Sequence, residues 1–134
     1  MEWYLKVLRQ YADFNGRARR KEYWMFVLFN FVFAWVCMGL DVLLVEVAGL
    51  PYSLFYVGYL VVGIIPGLAV SVRRLHDVGK SGWILLIALI PIIGAIWLLV
   101  LDVTDSEPYT NAYGPSPKYS AGPDKTDLID DVLA

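Results

Sequence analysis

Three long apolar runs leave this chain few ways to fold. The first spans 24–47 and opens WMFVLFNFVFAWVCMGL; the second, from 52, reads YSLFYVGYLVVGIIPGLAVSV; the third, 82–101, reads GWILLIALIPIIGAIWLLVL and carries no charge. A helix needs about 20 mostly apolar residues to cross the hydrocarbon of a bilayer, and each run is long enough. A soluble fold would have to clothe all three in polar sequence. Only 18% of the 134 residues are charged and 58% are hydrophobic, whereas soluble domains carry about 25% charged residues. The expected fold class is therefore an all-α membrane protein with transmembrane helices over about 24–47, 52–75 and 82–101. Trp24, Tyr52, Trp83 and Trp97 stand at or near run ends, where interfacial aromatics belong.

The segments outside the runs complete the plan. In MEWYLKVLRQYADF, the residues Tyr4, Val7, Leu8 and Tyr11 make an apolar stripe on a helix, as expected of a short amphipathic helix lying in the interface. The first run starts too late, is too long and lacks an A-x-A site, so it does not read as a cleavable signal peptide. Residues 1–118 read as a single integral membrane domain, and 119–134 as a flexible acidic tail after a proline-rich loop.

Charge sets the expected orientation. Residues 1–24 hold six cations against three acids, the loop after the second run holds Arg73, Arg74 and Lys80, and the loop near 47–51 holds none. The positive-inside rule places the N-terminus and the 73–82 loop in the cytoplasm. With three crossings, the C-terminus lies outside; a re-entrant hairpin at Pro91 and Gly94, near the middle of the third run, would return it to the cytoplasm, and the full crossing is preferred because a lipid-exposed break would leave backbone groups unpaired in hydrocarbon. The acidic tail balances a basic front to a net charge of −2, and nothing in this pattern points to nucleic acid.

The stretch RRLHDVGKSGW, residues 73–83, invites sharper readings. A phosphate loop fails because the position that needs its first glycine is Arg74. His76 beside Asp77 could do acid–base work, but no nucleophile is placed with them. One histidine and one apolar-flanked cysteine, Cys37, make a poor metal set, so no metal, cofactor or catalytic residue is assigned. The preferred reading is a structural polar corner of Glu22, His76 and Asp77, with Gly79 and Gly82 turning the chain back.

The basic run is less easily absorbed. Arg17, Arg19, Arg20 and Lys21 precede or open a helix, where the macrodipole disfavours cations. Together with Arg73 and Arg74 they are read as a cytoplasmic cationic rim for anionic lipid or another partner, against a simple topology signal with a solvated face; Glu22 can pair with one of these arginines, or with Arg73 or Arg74 across the bundle. Gly63 and Gly67 lie one turn apart in GIIPG and predict close helix packing or a homo-oligomer contact. Asn30 and Asp41 are the polar residues of the first run; Asp41, near its outer end, is read as reaching water.

The blocks EWYLKVLRQYADFNGRARRKEYWMF, RRLHDVGKSGW, IPIIGAIWLLVL and NAYGPSP, in that order, resemble the bacterial inner-membrane family of unknown function 805 (DUF805) over about residues 2–118. The resemblance implies a small, multi-pass inner-membrane protein and brings no activity, substrate or cofactor with it. Two function classes stay open. One is a non-enzymatic membrane module using the rim for lipid or a membrane-protein partner. The other is a transporter subunit or membrane enzyme acting on an anionic lipid-linked substrate, with Arg17, Arg20, Arg73, Arg74 and His76 holding phosphate.

Overall fold

The computed structural model describes residues 2–51 and 54–118; the expected flexible tail, 119–134, lies outside them. Among the described residues, four α-helices follow in order: α1 (Glu2–Arg9), α2 (Arg20–Ala48), α3 (Leu54–Asp77) and α4 (Ile93–Val103). A 3-10 segment, Gly82–Leu89, precedes α4. No extended strand forms among these residues; one isolated bridge joins Asn111 to Gly114.

The helices α2 and α3 are long and apolar enough to cross a membrane. At about 1.5 Å per residue they reach roughly 43 and 36 Å. They pair antiparallel, and their apolar side chains face outward: Phe31 and Val61 are each 61% exposed, and Leu54 69%. The polar side chains face in, so Glu22 and Arg74 are fully buried. Water would reverse this arrangement; hydrocarbon favours it.

Helix α1 packs on this pair through the stripe read from the sequence. Tyr4 and Val7 are buried, and the Tyr4 ring lies 5.5 Å from that of Phe26 and 5.3 Å from that of Phe33. Leu8 stays exposed. Pro66 sits inside α3. It has no N–H to give the carbonyl one turn back, and the Tyr11 hydroxyl donates to that carbonyl, Val62 O, instead.

The third run corrects the expectation of three crossings. It forms a hairpin, not one helix. The 3-10 arm has eight residues and α4 eleven, so at about 2.0 and 1.5 Å per residue both measure roughly 16 Å. Each arm covers about half of a 30 Å hydrocarbon core. The tip is a γ-turn: Ile93 N–H reaches Pro91 O at 2.8 Å, and Ile92 has φ 68° and ψ −65°. Gly94 is where the arms touch, since a Cβ there would lie 1.8 Å from Ile87 O. The returning arm is then tied to the end it left. Arg20 Nη1 donates to Val103 O at 3.0 Å and Arg74 Nε to Asp102 O at 3.2 Å. These cations meet the carbonyl end of α4, where its dipole favours them. Residues 104–118 therefore lie at the same end of the molecule as Arg17, and the expected placement of the C-terminal segment opposite the N-terminus does not follow.

The glycine pair also divides. A Cβ on Gly63 would sit 3.8 Å from Asn30 Oδ1, whereas at Gly67 it would meet nothing within 4 Å. Gly67 lines a groove between α2 and α3 with Tyr23 and Val27, so it makes no close helix contact within the chain.

Candidate functional site

The end of the molecule that carries α2's start and α3's end is a polar cap. Its centre is Asp77, fully buried at the last residue of α3. Arg17 Nε donates to Asp77 Oδ1 at 3.1 Å, Arg74 Nη1 to Oδ2 at 2.6 Å, and the Ser106 hydroxyl also donates to Oδ2. Two arginines and a hydroxyl thus converge on one carboxylate, which removes the cost of leaving that charge unpaired away from water.

Arg17 fills its remaining donors with backbone. Nη2 reaches Asp77 O at 3.1 Å and Glu107 O at 2.7 Å; Nη1 reaches Tyr109 O at 2.8 Å and Gly114 O at 3.2 Å. All five guanidinium N–H groups are used. Arg17 is the rivet between the loop before α2, the end of α3 and the segment after α4.

A second buried pair lies beside it. Arg73 Nη1 donates to Glu22 Oε1 at 2.7 Å and to Gln10 Oε1 at 2.6 Å, and Lys6 Nζ reaches Glu22 Oε2 at 2.7 Å. Arg73 Nε and Nη2 have no hydrogen-bond partner among the described residues.

The corner predicted around His76 is built by the C-terminal segment. His76 Nδ1 lies 3.0 Å from Gly16 O, and its ring stacks on Tyr113 at 3.8 Å with 1° between planes. Asn111 Nδ2 donates to His76 O and Glu107 Oε2, both at 2.9 Å. The NAYG turn that presents these side chains closes on itself, Asn111 and Gly114 exchanging backbone hydrogen bonds at 3.1 Å. Gly79, with φ 74°, turns the chain out of α3, a conformation that costs glycine little.

The structure divides the expected rim. Arg17, Arg73 and Arg74 point into the cap and are buried. Arg19, Arg20 and Lys21 face outward. Arg19 and Lys21, with Lys6, surround the Trp3 ring at 5.4 to 5.6 Å. Arg20 pairs with Asp105 at 3.3 Å. Asp105 is held below the usual carboxylate range, chiefly by its hydrogen bond from Lys118. Arg20 and Lys21 stand over a groove of about 350 Å³ whose walls are Trp24, Met25 and Val103. Among the described residues no cluster of histidine, cysteine and carboxylate side chains could hold a metal.

Two polar features lie away from the cap. Asp41 is only 3% exposed: it does not reach water but accepts from Phe55 N–H at 3.0 Å and Tyr56 N–H at 2.7 Å, capping the start of α3 from α2. Asn30 accepts from the Tyr59 hydroxyl at 2.8 Å, and that hydroxyl lies 3.2 Å from Tyr4's. The sequence offered no partner for either residue, because both partners come from another helix.

Comparison with known proteins agrees with the family suggested by the sequence blocks. Residues 11–115 match DUF805, described as a protein of unknown function. Inner membrane protein YhaH of Escherichia coli K12 is 43% identical over 118 residues, 88% of this chain and 98% of that protein. Inner membrane protein YhaI of the same strain is 40% identical over 121 residues, 90% of this chain and 99% of that protein. No solved structure matches. The chain belongs to the DUF805 family.

Proposed function

We propose that this DUF805 member is a non-enzymatic module of the bacterial inner membrane that holds anionic lipid at the outer face of its cap. The two spans are α2 and α3, and the hairpin of the third run enters and leaves on the cap side. The cap faces the cytoplasm, because Arg17, Arg19, Arg20, Lys21, Arg73, Arg74 and Lys80 all belong to that end, while residues 47–51 at the other end include no lysine or arginine.

One observation carries the lipid reading: the groove beneath Arg20 and Lys21 is cationic at its lip and apolar on its walls. A phosphate at the lip would meet Lys21 and, by displacing the exposed Asp105 carboxylate, Arg20, and acyl chain would lie along Trp24, Met25 and Val103. Arg17 and Arg74 do not belong to this surface, since their donors are taken by Asp77 and by backbone carbonyls. The same engagement weighs against an enzyme or transporter that would grip a lipid-linked phosphate with them.

The test compares the full chain with Arg19→Gln/Arg20→Gln/Lys21→Gln in phosphatidylcholine nanodiscs, with phosphatidylglycerol added at a fixed fraction. Native mass spectrometry counts retained phosphatidylglycerol. At about 1 kcal/mol per basic residue near an anionic surface, retention falls by up to roughly a hundredfold. Equal retention by the two proteins overturns the proposal.

A further inference from the structure

A pocket of about 180 Å³ opens where α1, α2 and α3 meet, lined by Tyr4, Leu8, Phe26, Asn30, Tyr59 and Pro66 among others. We infer that it is a binding site for the head of an uncharged, bilayer-dissolved molecule: a flat ring bearing carbonyl oxygens on a hydrocarbon tail, the chemistry of a quinone.

The polar side of the pocket has hydrogens to spare. The Tyr4 and Tyr59 hydroxyls and the Asn30 amide carry four side-chain hydrogens between them. Two contacts join the three groups, Tyr4 to Tyr59 at 3.2 Å and Tyr59 to Asn30 at 2.8 Å. The Tyr59 hydroxyl also lies 3.4 Å from Asn30 O. With Asn30 Oδ1 accepting from Tyr59, both amide hydrogens remain without an acceptor among the described residues; with the amide turned, at least one hydrogen of the three groups does. Tyr11 adds none, because its hydroxyl is committed to Val62 O.

Depth makes those hydrogens matter. Asn30 is ten residues along α2 from Arg20, about 15 Å, and so near the middle of a hydrocarbon core about 30 Å thick. Polar hydrogens left unpaired in such surroundings cost free energy that an acceptor would recover. The lining holds no cation, so a charged acceptor would lose its hydration there with no ion to replace it; an uncharged carbonyl oxygen loses much less.

The walls select the shape. Tyr4 and Phe26 stack within 18° of parallel, and Tyr11, Tyr59 and Pro66 add further flat faces. The volume equals that of about six waters at some 30 Å³ each, and falls below the 300 Å³ or more of pockets that enclose a drug-sized molecule. It suits one substituted ring, with the tail left in lipid. Gly63 keeps the space beside Asn30 open.

The experiment uses the full chain, labelled with nitrogen-15 at asparagine, in phosphatidylcholine nanodiscs, titrated with a decyl-tailed benzoquinone. The chain has three asparagines, Asn15, Asn30 and Asn111, so two serve as internal controls. The Asn30 side-chain amide should shift saturably while the other two stay still. Gly63→Leu should abolish the shift, and an unmoved Asn111 signal shows that its cap is intact. If that variant disturbs the cap, Tyr59→Phe replaces it and should weaken binding at least fivefold. Absence of an Asn30 shift, or equal movement of all three amides, overturns the site. An equal shift with ringless dioleoylglycerol overturns the ring assignment, and binding that survives with an intact cap in Gly63→Leu overturns the location.

Discussion

Arg73 Nη1 meets Glu22 Oε1 at 2.7 Å with both side chains withdrawn from solvent, 2% and 0% exposed. The pair joins the last turns of α3 to the first turn of α2. Glu22→Leu leaves the Arg73 charge buried without its carboxylate, and removal of one partner from such a pair costs about 3–5 kcal/mol. Arg73→Met added to Glu22→Leu should recover most of that loss, because the charge is then gone. Unfolding in detergent checks both; a double variant no more stable than the single would show that the pair is not the source of the penalty.

At the opposite end, Asp41→Ala should destabilise the start of α3. Two N–H groups, those of Phe55 and Tyr56, lose their acceptor. Loss of a helix cap costs about 1 kcal/mol, and up to 2. Hydrogen exchange at those two amides should accelerate, and Asp41→Asn should show a smaller effect because one acceptor oxygen survives. Unchanged exchange in the alanine variant would remove the cap from the account of α3.

Gly94→Ala and Gly67→Ala make a matched comparison. The first places a methyl on Ile87 O, and the second places one in open space. Overpacking of this kind costs about 1–3 kcal/mol, so the melting temperature should fall for Gly94→Ala and hold for Gly67→Ala. A fall only for Gly67→Ala would point to a second copy packed on that face.

Topology can be read in intact cells. In a Cys37→Ser background, single cysteines go at Val47 and Ala112, both exposed. A membrane-impermeant thiol reagent should label position 47 and spare 112 until lysis. Labelling of 112 alone would invert the molecule, and labelling of both would mean that the hairpin crosses fully.

Asp105 provides a pH test. Its folded carboxyl titrates below the unfolded value because of Lys118. Its contribution to stability is therefore present above the unfolded carboxylate range and is lost as pH falls through the lower folded value. Screening at this exposed site keeps the contribution small. NMR titration should show the low midpoint, and Lys118→Ala should raise it; a midpoint unmoved by that change would assign the shift elsewhere.

The long helices α2 and α3, and the concentration of polar side chains at 73–80, were legible in the sequence, because run length, charge segregation and a dense polar block are local signals. On the third run the sequence left a full crossing and a hairpin open and favoured the crossing, for a physical reason. Twenty apolar residues satisfy a length rule whether they cross or double back, and the deciding features, the turn at Ile92 and the contact at Gly94, are tertiary. Pro91 and Gly94 were the visible hints. Glu22 was open to pairing with Arg73 from the sequence, but the inward turn of Arg17 and Arg74 was hidden. Their partners, Asp77 and a series of carbonyls, are supplied by chain up to 97 residues away. Arg19, Arg20 and Lys21 lack such buried partners and stay where a charge count would leave them.

The reach of Arg17 also orders events during synthesis. Its carbonyl partners at Tyr109 and Gly114 do not exist when α2 leaves the ribosome. At about 5–20 residues per second, they follow the end of α2 by roughly 3–13 seconds. When α2 is finished, Arg17 lacks every acceptor it has in the fold, since all of them lie 60 or more residues further along the chain. Only when the last segment arrives are all the guanidinium N–H groups of Arg17 satisfied. The residue that is an unpaired charge early in synthesis is thus the joint that closes the cap last.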